Sequence, residues 1–223
     1  MLFYLPDFQM PILPETESMH CIKVLRKGKG DTVRVTDGLG NMADARITDP
    51  NLKRCGLELL NPIEKPKDWE GNVWLAVAPT KNLDRMEWLV EKATEIGCDG
   101  FLFVRTARTE RDHLNLERLQ KVALSAMKQS GQAWLPDMIW APKWNQIPWE
   151  KFDRILTADL TAHNPEWKRD PNSRSLLFIG PEGDFTPQEL EDLKQHQAES
   201  IRLRPQVLRT ETAALYALML AHV

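Results

Sequence analysis

The sequence predicts a mixed α/β protein of 223 residues, in which a small β-rich region precedes a larger region of alternating strands and helices. Short alternating segments with turn signals fill the first part of the chain. Apolar runs and amphipathic helical patterns then follow one another toward the C-terminus. Regular strand–helix alternation is typical of a mostly parallel sheet that is covered on both faces.

The β-rich region comes first. Residues 32–36 alternate between polar and apolar side chains and precede Asp37-Gly38, a hairpin-type turn signal. Residues 42–47 and 56–60 predict further strands, and residues 18–25 predict a short helix. This pattern predicts a small β-barrel.

A polar stretch at residues 62–68 contains two prolines and predicts a linker. At this point the predicted elements change from short strands to alternating strands and helices. We therefore expect two domains, residues 1–70 and residues 71–223.

The second region gives strand and helix signals in turn. Apolar runs predict strands at residues 73–78, 101–104, 154–158, 175–179 and 200–203. Apolar positions at helical spacing predict helices at residues 82–97, 116–127 and 210–221. Thr186-Pro187-Gln188-Glu189 is a capping box with proline at the first helical position, so another helix begins there.

Composition and charge exclude several classes of protein. The net charge of −3 argues against a generic polyanion binder, and the 42% of hydrophobic residues allows a sizeable core. Neither a membrane span nor a signal peptide is visible, so we expect a cytoplasmic protein without a membrane partner. The three scattered cysteines predict reduced thiols, and the scattered histidines predict no metal site.

Two motifs in the last third of the chain point to a ligand. Ile179-Gly180-Pro181-Glu182-Gly183-Asp184-Phe185 closes an apolar run and predicts a strand, a tight turn and a helix. Leu208-Arg209-Thr210-Glu211-Thr212-Ala213 opens the most apolar helix. Such loops offer backbone N–H and C=O groups to a small polar ligand, so the pair predicts a site for a nucleotide-like cofactor. The first motif is neither a Walker A loop nor a dinucleotide fingerprint.

Polar side chains crowd the start of the last helix. Thr210 is placed to cap it, and Glu211 suits the positive potential at its N-terminus. Arg209 gains nothing from that potential, so we predict that it faces a ligand or an acidic partner. An ordinary strand-to-helix turn at residues 180–183, and a purely helix-stabilising role for Glu211, are the alternatives.

Basic residues form two clusters. The first contains Lys23, Arg26, Lys27 and Lys29, and the second contains Arg105, Arg108 and Arg111. Taken alone, each cluster is better explained as solvated surface charge than as an RNA contact.

Taken together, these motifs resemble those of the RsmE family, the bacterial small-subunit ribosomal RNA uridine-N3 methyltransferases of the SPOUT class. The resemblance covers nearly the whole chain. Its parts, in chain order, are His20-x-x-x-Val24-Leu25-Arg26, Gly30-Asp31, Asp37-Gly38, Lys81, Met86, Glu91-Lys92-Ala93-Thr94-Glu95-Ile96-Gly97, Arg108-Thr109-Glu110-Arg111, Gln129-Ser130-Gly131, and the motifs at residues 179–183 and 208–213.

The resemblance implies an N-terminal PUA-like β-barrel joined to a SPOUT α/β domain with a C-terminal trefoil knot. It also implies a homodimer that uses S-adenosyl-L-methionine to methylate N3 of a specific uridine in 16S ribosomal RNA of the small ribosomal subunit. The cofactor loops would be residues 156–159, 179–183 and 203–213. The cofactor-binding residues would be Leu156, Thr157, Ala158, Ile179, Gly180, Pro181, Glu182, Gly183, Leu203, Leu208, Arg209, Thr210 and Ala213.

The implied chemistry suggests roles for single residues. Removal of the N3 proton of uracil puts charge on O2 and O4, which Arg209 would stabilise. Glu211 or Glu182 would accept the proton or position the base. In a competing account no side chain acts as base, and the field around the cofactor lowers the pKa of N3. The RNA contacts would be Lys23, Arg26, Lys29, Arg108 and Arg111.

The sequence departs from the family pattern at several positions. Asp184 stands where a glycine is usual, and Lys128 stands where a glutamate is usual. Arg204 or Pro205 occupies the place of a glycine expected before the last loop. These changes concern RNA contacts and loop detail.

Three other functions are compatible with parts of this pattern. Another SPOUT RNA methyltransferase, for example a transfer RNA ribose 2′-O-methyltransferase, would share the cofactor site and differ in the target atom. A non-catalytic RNA-binding or ribosome-assembly factor would be expected to lack Arg209, Glu211 or the Gly180/Gly183 pair, and all are present. A generic nucleotide-binding domain without methyl chemistry is the third.

Overall fold

The computed structural model describes residues 1–109, 113–162, 170 and 172–222. The chain forms two compact units. The first contains Met1–Asp68 and Leu124–Leu135, and the second contains Trp69–Ala123 and Pro136–Val223. Within the described residues, no helix combines the length and the apolar character that crossing a membrane requires.

A four-stranded sheet is the framework of the first unit. Its strands follow the order β1 (Leu2–Tyr4), β2 (Thr32–Thr36), β3 (Asn41–Asp49) and β4 (Gly56–Glu64). β1 runs parallel to β2, and the other neighbours are antiparallel. The strands predicted from alternation are confirmed.

The helix predicted at residues 18–25 is present and begins three residues earlier. Helix α1 (Glu15–Met19) continues directly into one π-helical turn, His20–Val24. The hydroxyl of Ser18 donates to the backbone carbonyl of Leu13 and accepts from the backbone N–H of Cys55, each at 2.9 Å. These two bonds fasten α1 to the start of β4.

The predicted linker at residues 62–68 is wrong over its first half, because β4 continues to Glu64. Ile63 pairs with Met42, and the register shifts between Met42 and Asp44. Proline is tolerated in β4 because the strand lies at the edge of the sheet. The bulge is accommodated by Asn61, which adopts a positive φ of 47°.

The first unit contains an ion pair between a buried carboxylate and a partly buried lysine. Glu17 is only 6% exposed, and its carboxylate accepts hydrogen bonds from the backbone N–H of Tyr4 and from the ammonium of Lys128. Lys128 belongs to the second half of α3 (Leu116–Ser130). Removing Lys128 would leave the buried Glu17 carboxylate unpaired, and about 3–5 kcal/mol, the typical cost in a fully buried pair, is the upper bound for this change.

All three cysteines are buried and free. Cys21 and Cys55 lie in the apolar interior of the first unit, and Cys98 lies in the second. Burial raises the pKa of the Cys55 thiol to about 12, and burial also raises the pKa of Cys98. The thiols are therefore protonated at neutral pH, in line with the prediction of reduced cysteines.

A six-stranded parallel sheet forms the second unit. The strands follow the order β10 (Glu199–Ile201), β8 (Arg154–Ala158), β9 (Arg174–Ile179), β5 (Asn72–Val77), β6 (Gly100–Val104) and β7 (Asp137–Ala141). Successive residues of β5, β6 and β9 are buried, as expected for strands covered on both faces. The parallel sheet is confirmed, whereas β7 was not predicted.

Helices connect these strands where capping signals predict them. α2 (Leu83–Ile96) begins at Asn82, whose side chain accepts from the N–H of Asp84, and ends at Gly97 with a positive φ of 112°. α4 (Pro187–Gln195) begins at Thr186 with the predicted capping box. α5 (Thr210–Ala221) is almost wholly apolar and packs against α2.

Candidate functional site

Three loops meet at one edge of the parallel sheet. β10, β8 and β9 are adjacent and parallel, so their C-terminal ends lie side by side. The residues that follow these strands must therefore converge, and ligands of open α/β sheets bind at this edge.

A cavity of about 390 Å³ opens between the three loops. Its walls come from the end of β8, from the turn after β9, and from the segment that leads from β10 into α5. The lining residues are Ala158, Asp159, Leu160, Ile179, Gly180, Pro181, Glu182, Asp184, Leu203, Arg204, Gln206, Val207, Leu208, Arg209, Thr210 and Ala213.

Most of the residues expected to bind a cofactor line this cavity. Three do not: Leu156 and Thr157 are buried within β8, and Gly183 lies in the turn without lining the cavity. Leu160 and Asp184 lie outside the loops predicted from sequence. Four further lining residues fall within those loops but were not singled out, namely Asp159, Arg204, Gln206 and Val207.

The turn after β9 is closely held. The N–H of Asp184 donates to the carbonyl of Pro181 at 2.9 Å, and the N–H of Phe185 donates to the Asp184 carboxylate at 2.7 Å. Asp184 has a positive φ of 61°. This is the conformation glycine adopts most readily and aspartate tolerates, so the departure from the usual glycine keeps the turn.

Phe185 and Arg108 anchor the same turn from two sides. Phe185 is 4% exposed and packs among the rings of Trp144 and Phe178. The guanidinium of Arg108 donates to the backbone carbonyls of Gly183 and Phe185. Arg108, a predicted RNA contact, is thus engaged with the turn itself.

One side-chain bond joins the turn to α5. The hydroxyl of Thr210 donates to the backbone carbonyl of Gly180 at 3.0 Å. The expectation that Thr210 caps α5 is wrong, because the N-cap residue is Arg209 and no side chain caps the helix. Arg209 is exposed and lines the cavity, and its contact with a ligand stays a prediction.

Glu211 does not line the cavity. It is 7% exposed, and one carboxylate oxygen lies 3.8 Å from the Nε atom of Arg85 in the first turn of α2. The other oxygen is buried without a hydrogen-bond partner among the described residues. Glu211 therefore faces α2, although Thr210 beside it faces the turn after β9.

The carboxylates that line the cavity differ in their hydrogen bonds. Asp159 accepts from the backbone N–H and the hydroxyl of Thr161, and Asp184 accepts from Phe185. Glu182 is exposed and has no hydrogen-bond partner within the described part of the chain. It also lines a neighbouring cleft of about 550 Å³, together with Lys81, Asn82, Leu83, Asp84 and Arg85.

The predicted RNA contacts of the N-terminal region lie in the first unit. Lys23, Arg26 and Lys29 are exposed, and none forms an ion pair with a described residue. Lys23 belongs to the π-helical turn, and Arg26 follows it with a positive φ of 54°. Arg111, the last predicted contact, lies outside the described residues.

Family comparisons agree with both units. Residues 67–222 match a family described as "RNA methyltransferase domain", and residues 13–60 match one described as "RNA methyltransferase PUA domain". The curated protein "Ribosomal RNA small subunit methyltransferase E" of Mycobacterium bovis is 30% identical, over 98% of this chain and 89% of its own length.

Two solved structures are similar over nearly the whole chain. A probable rRNA-methyltransferase from Porphyromonas gingivalis is 35% identical with a TM-score of 0.86, covering 99% of this chain and 96% of the other. A ribosomal RNA small subunit methyltransferase E from Neisseria gonorrhoeae, bound to S-adenosyl methionine, is 26% identical with a TM-score of 0.81, covering 98% and 94%. With its three-loop cavity, its family matches and these relatives, the chain belongs to the ribosomal RNA small subunit methyltransferase E family of RNA methyltransferases.

Proposed function

We propose that this protein transfers a methyl group from S-adenosyl-L-methionine to N3 of a uridine in 16S ribosomal RNA. The observation that carries the proposal is that the ends of β8, β9 and β10 and the start of α5 all line one cavity. The names of the relatives support the reaction class, and the cofactor bound to the Neisseria gonorrhoeae protein supports the methyl donor.

The cavity residues suit a ligand of this kind. Its volume of about 390 Å³ falls in the range of small-molecule sites, roughly 300–1,000 Å³. Apolar residues such as Leu160, Leu203 and Val207 line it together with the turn after β9 and with charged residues. S-adenosyl-L-methionine supplies an electrophilic methyl group on its sulfonium, and the cavity residues would hold and orient it.

Among the candidate carboxylates, Glu182 suits contact with the target base best. It lines both the cavity and the neighbouring cleft, and its carboxylate has no partner among the described residues. Glu211 is buried against Arg85 instead. We propose that Glu182 accepts a hydrogen bond from the N3–H edge of the uracil or takes its proton. Arg209 would stabilise the charge that develops on O2 and O4.

The target uridine must leave base pairing and stacking before its N3 can be attacked. We propose that it enters through the cleft beside Glu182. The exposed Lys23, Arg26 and Lys29 of the first unit would contact RNA phosphates, which would fix the orientation of the RNA without reading its sequence. Neutralising them should weaken RNA binding and flatten its dependence on salt.

Three further expectations belong to the same proposal. The small ribosomal subunit as partner, a cytoplasmic location and the C-terminal trefoil knot rest on the family resemblance. A homodimer is supported by exposed apolar side chains on the two packed helices, namely Trp88 on α2 and Met219 and Leu220 on α5. The division of the chain near residue 70 also remains a prediction.

The test is nucleoside mass spectrometry after incubation of the protein and S-adenosyl-L-methionine with small ribosomal subunits that lack the modification. We expect N3-methyluridine from the wild-type protein. Arg209→Ala and Glu182→Gln should lower kcat by about 100-fold or more, since each removes a group aimed at charge in the transition state. Glu191→Gln, at an exposed position of α4, is the matched control and should retain full activity.

Other outcomes separate the alternatives. A methylated ribose would keep the cofactor site and overturn the target atom. Binding of S-adenosyl-L-methionine without any methylation of RNA would favour a non-catalytic RNA-binding factor. Normal kcat with a raised KM for RNA in Arg209→Ala would remove Arg209 from the chemical step.

A further inference from the structure

We propose that Arg204, held against the ring of Tyr216, binds the carboxylate of the amino-acid end of the cofactor. The inference rests on the proposed function, because it assigns one end of S-adenosyl-L-methionine to one part of the cavity. It concerns affinity and selectivity for the ligand, and it leaves the methyl-transfer roles of Glu182 and Arg209 unchanged.

Arg204 lies on the cavity wall and contacts one aromatic ring. It follows β10 by three positions and lines the cavity. Its guanidinium carbon lies 5.6 Å from the centre of the Tyr216 ring, within the distance of a cation–π contact. Tyr216 stands on α5 one turn after Ala213, which also lines the cavity. The contact therefore places the Arg204 guanidinium against α5, one turn beyond a residue that lines the cavity.

Within the described residues, the Arg204 guanidinium has no anionic partner. No carboxylate among the described residues forms an ion pair or hydrogen bond with Arg204. Guanidinium donors match a carboxylate in a two-pronged geometry, and a cation stacked on a ring keeps its donor edges free for such a contact. An exposed arginine held in this way is suited to an anionic group of a ligand.

The other charged groups of the cavity support this assignment. Asp159 and Asp184 repel a carboxylate and are engaged in their own loops. Arg209 is the second guanidinium that lines the cavity, but as the N-cap residue of α5 it has no ring contact among the described residues. In this assignment Arg209 contacts the target uracil, and Arg204 binds the carboxylate of the cofactor.

Binding measurements with two ligands test this assignment on the full-length protein. S-adenosylhomocysteine carries the amino-acid end, and 5′-methylthioadenosine lacks it. By isothermal titration calorimetry, Arg204→Ala should raise the Kd of S-adenosylhomocysteine about 10- to 100-fold, as expected for loss of a charge-assisted hydrogen bond. The Kd of 5′-methylthioadenosine should change by less than about twofold, which also shows that the variant is folded.

Further variants separate the contribution of the Arg204 charge from that of the Tyr216 ring. Tyr216→Leu removes the ring and should show the same selective loss in weaker form, whereas Tyr216→Phe keeps the ring and should bind like wild type. Arg202→Ala, an exposed arginine two positions earlier that does not line the cavity, is the matched control.

Four results would overturn the assignment. Equal weakening of both ligands by Arg204→Ala would indicate a structural role, and no weakening would indicate no role. A selective loss in Arg209→Ala instead of Arg204→Ala would move the contact to Arg209. If wild-type protein binds neither S-adenosylhomocysteine nor S-adenosyl-L-methionine, the proposed cofactor fails and the inference falls with it.

Discussion

The turn after β9 and the loop after β10 both line the cavity, but they are held in place very differently. The turn has two internal hydrogen bonds, a side-chain bond from Thr210, and a buried phenylalanine. In the described part of the chain, no hydrogen bond involves residues 202–208, and Val207 is 79% exposed. Arg204 on Tyr216 is the loop's one ring contact among those residues.

This difference suggests a division of labour in the site. The turn after β9 is a preformed wall, so little entropy remains to be lost there when a ligand binds. The loop after β10 has few contacts among the described residues, so ordering it around a ligand would cost conformational entropy. The affinity for a ligand should therefore depend on the geometry of the turn after β9 and on the ordering of the loop after β10.

The largest expected effect comes from removing an anchor of the turn. Phe185→Ala should lower the free energy of unfolding by about 3–5 kcal/mol, because it empties a space among the rings of Trp144 and Phe178. Val207→Ala in the loop should change it by no more than about 0.5 kcal/mol. Urea unfolding measures both, and similar losses would mean that the two loops are anchored equally.

A smaller effect is expected at the bond between the turn and α5. Thr210→Val keeps the shape of the side chain but loses the donor to the Gly180 carbonyl. We expect a loss of about 1–2 kcal/mol in the free energy of unfolding. Thr212→Val, on the exposed side of the same helical turn, is the control and should be close to neutral. Equal values for the two variants would show that the bond contributes nothing.

The backbone of the turn gives the next prediction. Asp184→Ala and Asp184→Gly both remove the carboxylate that accepts from Phe185, but only alanine places a Cβ at the positive φ of 61°. The glycine variant should therefore be more stable than the alanine variant by about 1 kcal/mol in thermal or urea unfolding. The reverse order would mean that the turn relaxes to another conformation.

The smallest effect concerns the strand that leads into the loop. Arg154 on β8 pairs with Glu199 on β10 at 2.7 Å, and this hydrogen bond lowers the pKa of Glu199. A lowered folded-state pKa stabilises the fold above the ordinary pKa of glutamate, about 4.3, and that contribution is lost as the pH falls through the folded value. Because Glu199 is half exposed, Glu199→Gln should cost no more than about 1 kcal/mol at pH 7.

The pH dependence checks the cause of that small effect. The difference in unfolding free energy between wild type and Glu199→Gln should begin to shrink at about pH 4.3, where the carboxylate of the unfolded chain becomes protonated, and should vanish below the lower pKa of the folded chain. It should also shrink in high salt, because the glutamate of the pair is exposed. A difference that stays constant over the acid range would assign the effect to packing.

Sequence periodicity predicted most of the second unit. Strands that are buried on both faces appear in the sequence as apolar runs. Capping residues such as Asn82 and Thr186 mark the residues at which helices begin. β7 was not predicted, because it lies at the edge of the sheet and is only half buried, so its hydrophobic pattern is weak. β4 was cut short because proline and polar residues read as a linker, although an edge strand tolerates both.

The site was predicted at the level of loops better than of side chains. The ends of adjacent parallel strands must converge, so the loops follow from the order of the strands. Which way a loop residue faces depends on tertiary contacts. Thr210 and Glu211 are neighbours, yet they face different elements because successive residues of a helix point about 100° apart. Leu160 gave no signal, since a single leucine after a strand fits any turn.

The membership of Leu124–Leu135 in the first unit has a consequence for how the chain is made. A ribosome releases residues 1–68 well before it reaches Lys128, the partner of Glu17, and Ala133, which packs with Leu2 and Met42. At typical rates of synthesis this gap lasts on the order of 3–10 s. During that interval the N-terminal sheet has an uncompensated carboxylate and an unfilled apolar surface. Its final packing must therefore wait for the middle of the chain.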